Sequence, residues 1–259
     1  MFFWKRGRSN AGKRPTLSVA GQERVYAIGD VHGRLDLLVA LVDKIERDAL
    51  TRPPGRRARL IFLGDYIDRG DQSREVVDCL IRLRDRLCDR VDFLAGNHEA
   101  SLLGFLDDPL RGRDWLQWGG GQTMASYGVV PPSDTTERAD LDTLSAALRR
   151  AMGEQHIGFL RGLSGIATSG SVVFVHAGLD PSLPLDRQPD AAMLWGRIGG
   201  ERTSGLPGYR MVHGHFAADA PVSLPERVCV DTGAYYSGRL TAVRLDEEEA
   251  FLDTDGREV

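Results

Sequence analysis

Five short stretches each set a glycine beside a side chain that can hold a metal ion or move a proton. They are Gly29-Asp30-Val31-His32-Gly33, Gly64-Asp65-Tyr66-Ile67-Asp68-Arg69-Gly70, Gly96-Asn97-His98-Glu99, Val175-His176-Ala177-Gly178 and His213-Gly214-His215. Five of the six histidines fall inside them; His156 does not, and reads as a core histidine. Asp30, Asp65, Asp68 and Glu99 add carboxylates. Clustered carboxylates repel one another and resist ionisation unless a cation lies among them. Imidazole and carboxylate without thiolate form a donor set for manganese, iron or zinc. Two such ions roughly 3.5–4 Å apart would clamp the attacking and leaving oxygens of a phosphoryl centre, and a water bridging them would supply hydroxide near neutral pH. The chemistry is then in-line attack on phosphorus, with the equatorial charge met by cations and arginines. An imidazolium beside a carboxylate could protonate the leaving oxygen. Cys79 and Cys88 fall in a predicted helix outside every motif, which leaves a cysteine nucleophile without support.

Residues so far apart in the chain need elements that bring them together. In open α/β sheets the residues just past the carboxyl ends of the strands line the ligand crevice. Val25–Ile28, Leu60–Leu63 and Val91–Ala95 read as buried strands. Between them, Leu35–Ala49 and Val76–Leu87 carry apolar residues at helical spacing with charges opposite. Strand–helix–strand–helix–strand predicts a parallel sheet with right-handed crossovers. The stretch 101–163, with Trp115, Trp118, Gly119-Gly120-Gly121, Pro131-Pro132 and a helix over Thr136–Met152, reads as a helical excursion from that sheet. Val172–Val175 resumes strand character and Gly199–Gly208 reads as a loop. Val212, Val228–Val230 and Leu240–Leu245 suit the short strands of an antiparallel or mixed second sheet.

The chain has 259 residues, 42% hydrophobic and 27% charged, which is enough for one large globular domain or two small ones. The predicted organisation is a basic tail over 1–23, one domain over 24–245 and an acidic tail over 246–259. Lys5, Arg6, Arg8, Lys13 and Arg14 make the first twenty residues basic, so the rest is more acidic than the overall −4. An acidic body argues against nucleic acid as a partner. The basic tail behind Phe2, Phe3 and Trp4 reads as a solvated terminus, with contact to an anionic membrane surface as the alternative. Three scattered cysteines without a CxxC pair argue for a reducing compartment. With no secretory signal and no apolar run of membrane-spanning length, the expected location is cytoplasmic.

The motifs GDVHG, GDYIDRG, GNHE, VHAG and HGH resemble the signature series of the metal-dependent phosphoprotein phosphatase family, within the calcineurin-like metallophosphoesterase superfamily. The resemblance is greatest to small bacterial and phage members and runs from about Val25 to Leu245. It implies an α/β sandwich of two mixed β-sheets flanked by helices, and two divalent ions, manganese foremost. It further implies that Asp30 and His32 hold the first ion, that Asp65 bridges, and that Asn97, His176 and His215 complete the second. His215 matches the family ligand; His213 does not. His98, oriented by Asp68, would protonate the leaving oxygen, while Arg69 and Arg197 would grip phosphate. Phe216 stands where relatives commonly carry Thr. The implied activity is that of a serine/threonine protein phosphatase acting on a phosphoprotein or phosphopeptide. The alternative is a symmetric dinucleoside tetraphosphatase or another nucleotide phosphohydrolase. That branch typically has Ala before the Arg of its second motif and GNHD in its third, whereas this chain has Asp68-Arg69 and GNHE. A binding module with a vestigial site would have lost a ligand, and none is missing.

Overall fold

A period of two sorts the first strand, β1 (Glu23–Ile28), between two apolar cores: Val25 and Ala27 enter one, Tyr26 and Ile28 the other. The structure is a computed structural model that describes residues 18–130, 137–198, 201–202 and 206–255. The basic tail through residue 17, Pro131-Pro132, parts of the glycine-rich 199–208 loop and residues 256–259 lie outside the described residues.

After β1 come α1 (Leu35–Thr51), β2 (Arg57–Phe62), α2 (Ser73–Leu87) and β3 (Val91–Phe93). The three strands are parallel, as the strand–helix alternation predicts. Leu38, Leu41, Val42 and Ile45 of α1 and Val76, Val77 and Leu80 of α2 bury the stripe that covers the helix-side face of the sheet. The excursion follows as α3 (Asn97–Asp107), a 3-10 turn over Arg113–Trp118, α4 (Gly120–Ser126) and α5 (Arg138–Arg161). Gly153, at φ 67°, kinks α5 where the predicted helix ends, and the chain continues helical to Arg161. Leu102 and Phe105 of α3 join Leu141, Leu148 and Phe159 of α5 in the same core as the sheet. The excursion is thus packed into the body of the fold.

The second half supplies β4 (Ile166–Ser169), β5 (Val172–Val175), α6 (Asp190–Trp195), a ribbon of β6 (Arg197–Ile198) and β7 (Glu201–Arg202), and β8 (Arg210–His213). It continues with β9 (Val222–Ser223), β10 (Arg227–Cys229), α7 (Ala234–Ser237), β11 (Thr241–Leu245) and β12 (Glu249–Asp253). Two five-stranded mixed sheets result, ordered β12-β11-β1-β2-β3 and β4-β5-β8-β10-β9. In the second, β5, β8 and β10 are parallel neighbours. Val25, Ala27, Ile61 and Leu63 from one sheet meet Phe174, Val212, Val228 and Val230 from the other in the core between them. The α/β sandwich of two mixed sheets flanked by helices is the observed architecture. Among the described residues, no helix is long and apolar enough to cross a membrane.

Three expectations need correction. Leu240–Leu245 belongs to the first sheet: β11 lies antiparallel to β1, with Leu245 opposite Val25. The acidic tail is no tail as far as Asp253, because β12 pairs antiparallel with β11. Its acidic residues mask a two-sided strand in which Leu252 enters one core and Phe251 packs against the other. At the other end, Val19 is buried between the sheets and the backbone N–H of Ser171 donates to the Ser18 carbonyl at 3.0 Å. The body therefore begins several residues before 24.

Asp48 of α1 ties three elements together. It accepts from the Tyr26 hydroxyl (2.7 Å), Arg52 Nη2 (2.8 Å) and Arg244 Nη1 (3.1 Å), the last on a wholly buried side chain. Burial opposes ionisation of Asp48, but Arg52, Tyr26 and Arg244 outweigh it and hold the carboxyl below its ordinary range. A depressed folded-state value means the stabilisation is full above about pH 4 and is lost as pH falls through that value. Asp48→Asn is expected to lower stability at pH 7 by about 2–3 kcal/mol. Urea unfolding at pH 7 and pH 3.5 checks this, since the gap between wild type and variant should shrink at the lower pH.

Candidate metal centre

The parallel strands of both sheets deliver their carboxyl ends to one edge, and the five motifs follow them. Asp30 and His32 come after β1, Asp65, Asp68 and Arg69 after β2, and Asn97 and His98 open α3 after β3. His176 follows β5 and His215 follows β8. Backbone contacts lock these loops together. The N–H groups of Val31 and His32 donate to the Asp65 carbonyl, at 3.0 and 2.9 Å. Gly33, at φ +63°, lies so close to Gly70 that a Cβ would come within 2.5 Å of its carbonyl oxygen. Side-chain-bearing residues here also adopt costly backbone conformations. Of the six described non-glycine residues with positive φ, five are His32, Asp65, Asp68, Arg69 and His215. Such strain persists only where surrounding structure over-determines it, and it gathers at functional sites.

Asp65 stands at the middle. Its Oδ2 lies 3.5 Å from His176 Nε2, 3.6 Å from His32 Nε2 and 3.9 Å from His98 Nε2. Two donor groups share it, His32–Asp65–His98 and Asp65–His176–His215, each with its ligand atoms within 4.8 Å of one another. Asn97 Oδ1 lies 3.0 Å from both His176 Nε2 and His215 Nδ1.

The donor chemistry tests whether cations fit. His32 Nδ1 donates to the Ile67 carbonyl (2.9 Å) and His176 Nδ1 to the Leu63 carbonyl (2.8 Å). In each ring that leaves Nε2 with a lone pair facing inward. His176 Nε2 then confronts the acceptor Asn97 Oδ1, a contact between two lone pairs that a cation would reconcile. Burial, above all, pushes His32 down to about 3 and His215 down to about 4, so both are neutral imidazoles at physiological pH. Burial works against the charge on Asp65, yet His176, His98 and His32 overcome it and keep the carboxyl well below its ordinary range. Asp30 behaves oppositely: burial, then Asp231 and Asp65, raise it well above the usual carboxylate range. Neutral imidazoles around packed carboxyl groups are what two divalent ions require, and the residues present fit them.

A buried histidine–aspartate pair stands beside this centre. His98 Nδ1 lies 2.6 Å from Asp68 Oδ2. Burial disfavours the imidazolium, but Asp65 and Asp68 together outweigh it and raise His98 above its usual value. Asp68 is itself pinned, accepting from Trp115 Nε1 at 2.7 Å and from the Thr123 hydroxyl at 2.5 Å. Both partners belong to the excursion, which therefore orients the Asp68–His98 pair. Arg69 reaches across, with Nη1 donating to His32 Nε2 at 2.9 Å and Nη2 3.1 Å from His98 Nε2.

All the predicted site residues but one lie in or against this cluster. Asp30 is brought close, accepting the His215 N–H at 3.1 Å, though His98 takes its place in the three-donor group with His32 and Asp65. Arg197 is the exception. It is exposed at the start of β6 and makes no hydrogen bond or ion pair with the described cluster, because the chain turns away through Gly196 in the left-handed region. His213 faces Arg227 Nη1 at 3.1 Å, so His215 is the histidine that joins the centre. Phe216 packs edge-on against His215, with ring centroids 4.7 Å apart. Glu99 braces the loops. It accepts from the backbone N–H groups of Asp65, Gly96 and Tyr66 at 2.7–2.9 Å, and from Ile67 at 3.3 Å. Trp115, Thr123 and Asp231 were not anticipated. Asp231 carries a similar signal, an acid directly after the apolar run Val228–Val230 with a glycine two residues on.

This sandwich, with imidazole and carboxylate donors at the strand ends, defines a metallophosphoesterase-type hydrolase. The chain belongs to the calcineurin-like phosphoesterase family, whose family model matches residues 23–195. Over 239 residues it is 29% identical to the asymmetrical bis(5'-nucleosyl)-tetraphosphatase PrpE of Geobacillus thermodenitrificans, covering 85% of this chain and 89% of that protein. It is 27% identical to the symmetrical bis(5'-nucleosyl)-tetraphosphatase of Xanthomonas euvesicatoria, covering 91% and 85%. Among solved structures, a protein serine/threonine phosphatase of Saccharomyces cerevisiae shares the fold, with a TM-score of 0.51, 13% identity and coverage of 92% and 82%.

Proposed function

We propose that this chain hydrolyses phosphoric anhydride bonds in dinucleoside tetraphosphates. The observation that carries this reading is similarity along nearly the whole chain to proteins named bis(5'-nucleosyl)-tetraphosphatases, of both the asymmetrical and the symmetrical kind. The features that favoured a protein phosphatase lose their weight in three dimensions. Glu99 is fully buried and spends its oxygens on backbone N–H groups, so GNHE speaks for loop bracing rather than for substrate choice. Asp68 is also fully buried and faces His98, Trp115 and Thr123.

In this reading His32 and Asp65 would hold one divalent ion, with Asp30 completing its surroundings, and Asp65, Asn97, His176 and His215 would hold the other. When bound, such ions activate water for attack and neutralise charge on the phosphoryl oxygens. Arg69 is anchored over the Tyr235 ring, its guanidinium carbon 4.9 Å from the ring centroid, and its Nη1, released from His32 Nε2 when an ion is taken up there, would grip a phosphate. His98 gives its proton to the leaving oxygen, and Asp68 fixes the imidazole's orientation and stabilises its charged form. Trp115 and Thr123 in turn keep the Asp68 carboxylate aimed. Arg69→Ala is expected to raise KM about 10–100-fold, with a smaller change in kcat. Steady-state kinetics check this, and an unchanged KM would remove Arg69 from phosphate binding.

The test is a comparison of kcat/KM, with Mn²⁺ supplied, for diadenosine tetraphosphate and a phosphothreonine peptide. The nucleotide is expected to be preferred by about tenfold or more. Separating the products decides the bond cleaved: ATP with AMP marks asymmetrical cleavage, two ADP symmetrical cleavage. A preference for the peptide would overturn this reading in favour of a protein phosphatase.

A further inference from the structure

Beside Arg69 lies a shallow cavity, open to solvent, of about 410 Å³, lined by Arg69, Gln117, Trp118, Gly119, Gln122 and Tyr235. We infer that it is a nucleobase subsite, in which a purine attached to the bound phosphate stacks on Trp118. This deepens, and rests on, the reading of the centre as a dinucleoside tetraphosphatase.

Four observations carry it. Trp118 is 41% exposed and Tyr235 38%, and the Tyr235 ring centroid lies 5.5 Å from that of His32. Trp118 meets Trp195 in a T-shaped contact, with centroids 5.5 Å apart, which steadies its ring without a parallel partner. Gln117 and Gln122 are exposed, and neither amide has a hydrogen-bond partner among the described residues. A flat ligand with a π face and donor and acceptor edges would satisfy both features. Finally, Arg69 connects the cavity to the metal centre, because it stacks on Tyr235 while its nitrogens reach His32 and His98. The backbone keeps this junction tight: Gly119, at φ +108°, lies where a Cβ would come within 2.6 Å of the Arg69 backbone nitrogen. A phosphate gripped by Arg69 would therefore stand at the edge of the cavity that Trp118 lines. A phosphothreonine offers no such group, whereas a nucleotide does.

The experiment measures binding of AMP and of ribose 5-phosphate to the Mn²⁺-loaded protein by titration calorimetry. Both carry the same phosphate and sugar, and only AMP carries the base. Wild type should bind AMP about 5- to 150-fold more tightly, the range that base–aromatic stacking spans. Trp118→Ala should collapse that ratio towards one, while Trp118→Phe, which keeps a π face, should retain most of it. Using the ratio makes the result independent of any general loss in the variant. Equal affinity of the two ligands for wild type, or a ratio that survives Trp118→Ala, overturns the subsite. Cleavage of diadenosine tetraphosphate by wild type is read separately. If that fails while AMP keeps its advantage, the functional reading falls and the base subsite stands.

Discussion

Asp65→Asn is expected to leave the protein with at most one tightly held manganese ion where wild type holds two, and to lower phosphoesterase turnover by about 10²–10³-fold or more. The reason is the position of a single oxygen. Asp65 Oδ2 lies within 3.9 Å of three histidine Nε2 atoms, and both three-donor groups depend on it. Its carboxyl stays ionised despite its burial, so it can supply charge to two cations at once. An amide supplies one neutral oxygen. The backbone at this position has φ 53°, a conformation that Asn tolerates as well as Asp, so the substitution changes the charge without adding strain. Elemental analysis after dialysis is the measurement, and two ions retained per chain would refute the shared-ligand role.

The second large effect concerns His98. His98→Ala should keep the metal content of wild type and lower turnover of diadenosine tetraphosphate by about 10²–10⁴-fold. For p-nitrophenyl phosphate, whose leaving group needs little protonation, the loss should be much smaller. The expectation follows from the 2.6 Å contact with Asp68 and from the net upward shift that Asp65 and Asp68 impose against burial. Equal losses on the two substrates would deny His98 its proton-donating role. Because His98 also stands in one of the three-donor groups, metal analysis of the same variant separates the two functions. Loss of an ion would mark it as a ligand.

Much of the centre was legible because its grammar is local. A buried strand that ends in glycine and then an acid or histidine can be read without knowing what lies opposite. That pattern marked the five motifs, and the resemblance they carry implied roles for Asp30, His32, Asp65, Asn97, His98, His176 and His215, which the structure brings to one edge of the two sheets. Trp115 and Thr123 were illegible for the opposite reason. Each is separated from Asp68 by about fifty residues, |i−j| 47 and 55, and no periodicity announces a hydrogen bond across such a loop. Arg197 shows how neighbours in sequence part company. Trp195 lies with its ring centroid 6.5 Å from that of His215, while two residues later Arg197 is exposed.

The sequence by itself determined the strand–glycine–ligand pattern, the donor types and hence the class of chemistry, since each follows from residue identity within a few positions. The tertiary structure decided which donors gather around Asp65, that the 101–163 excursion aims Asp68, that Glu99 braces loops, and that β11 and β12 extend the first sheet. Those are questions of which distant segments meet. Burial and long-range packing settle them, and neither is a property of any short stretch of chain.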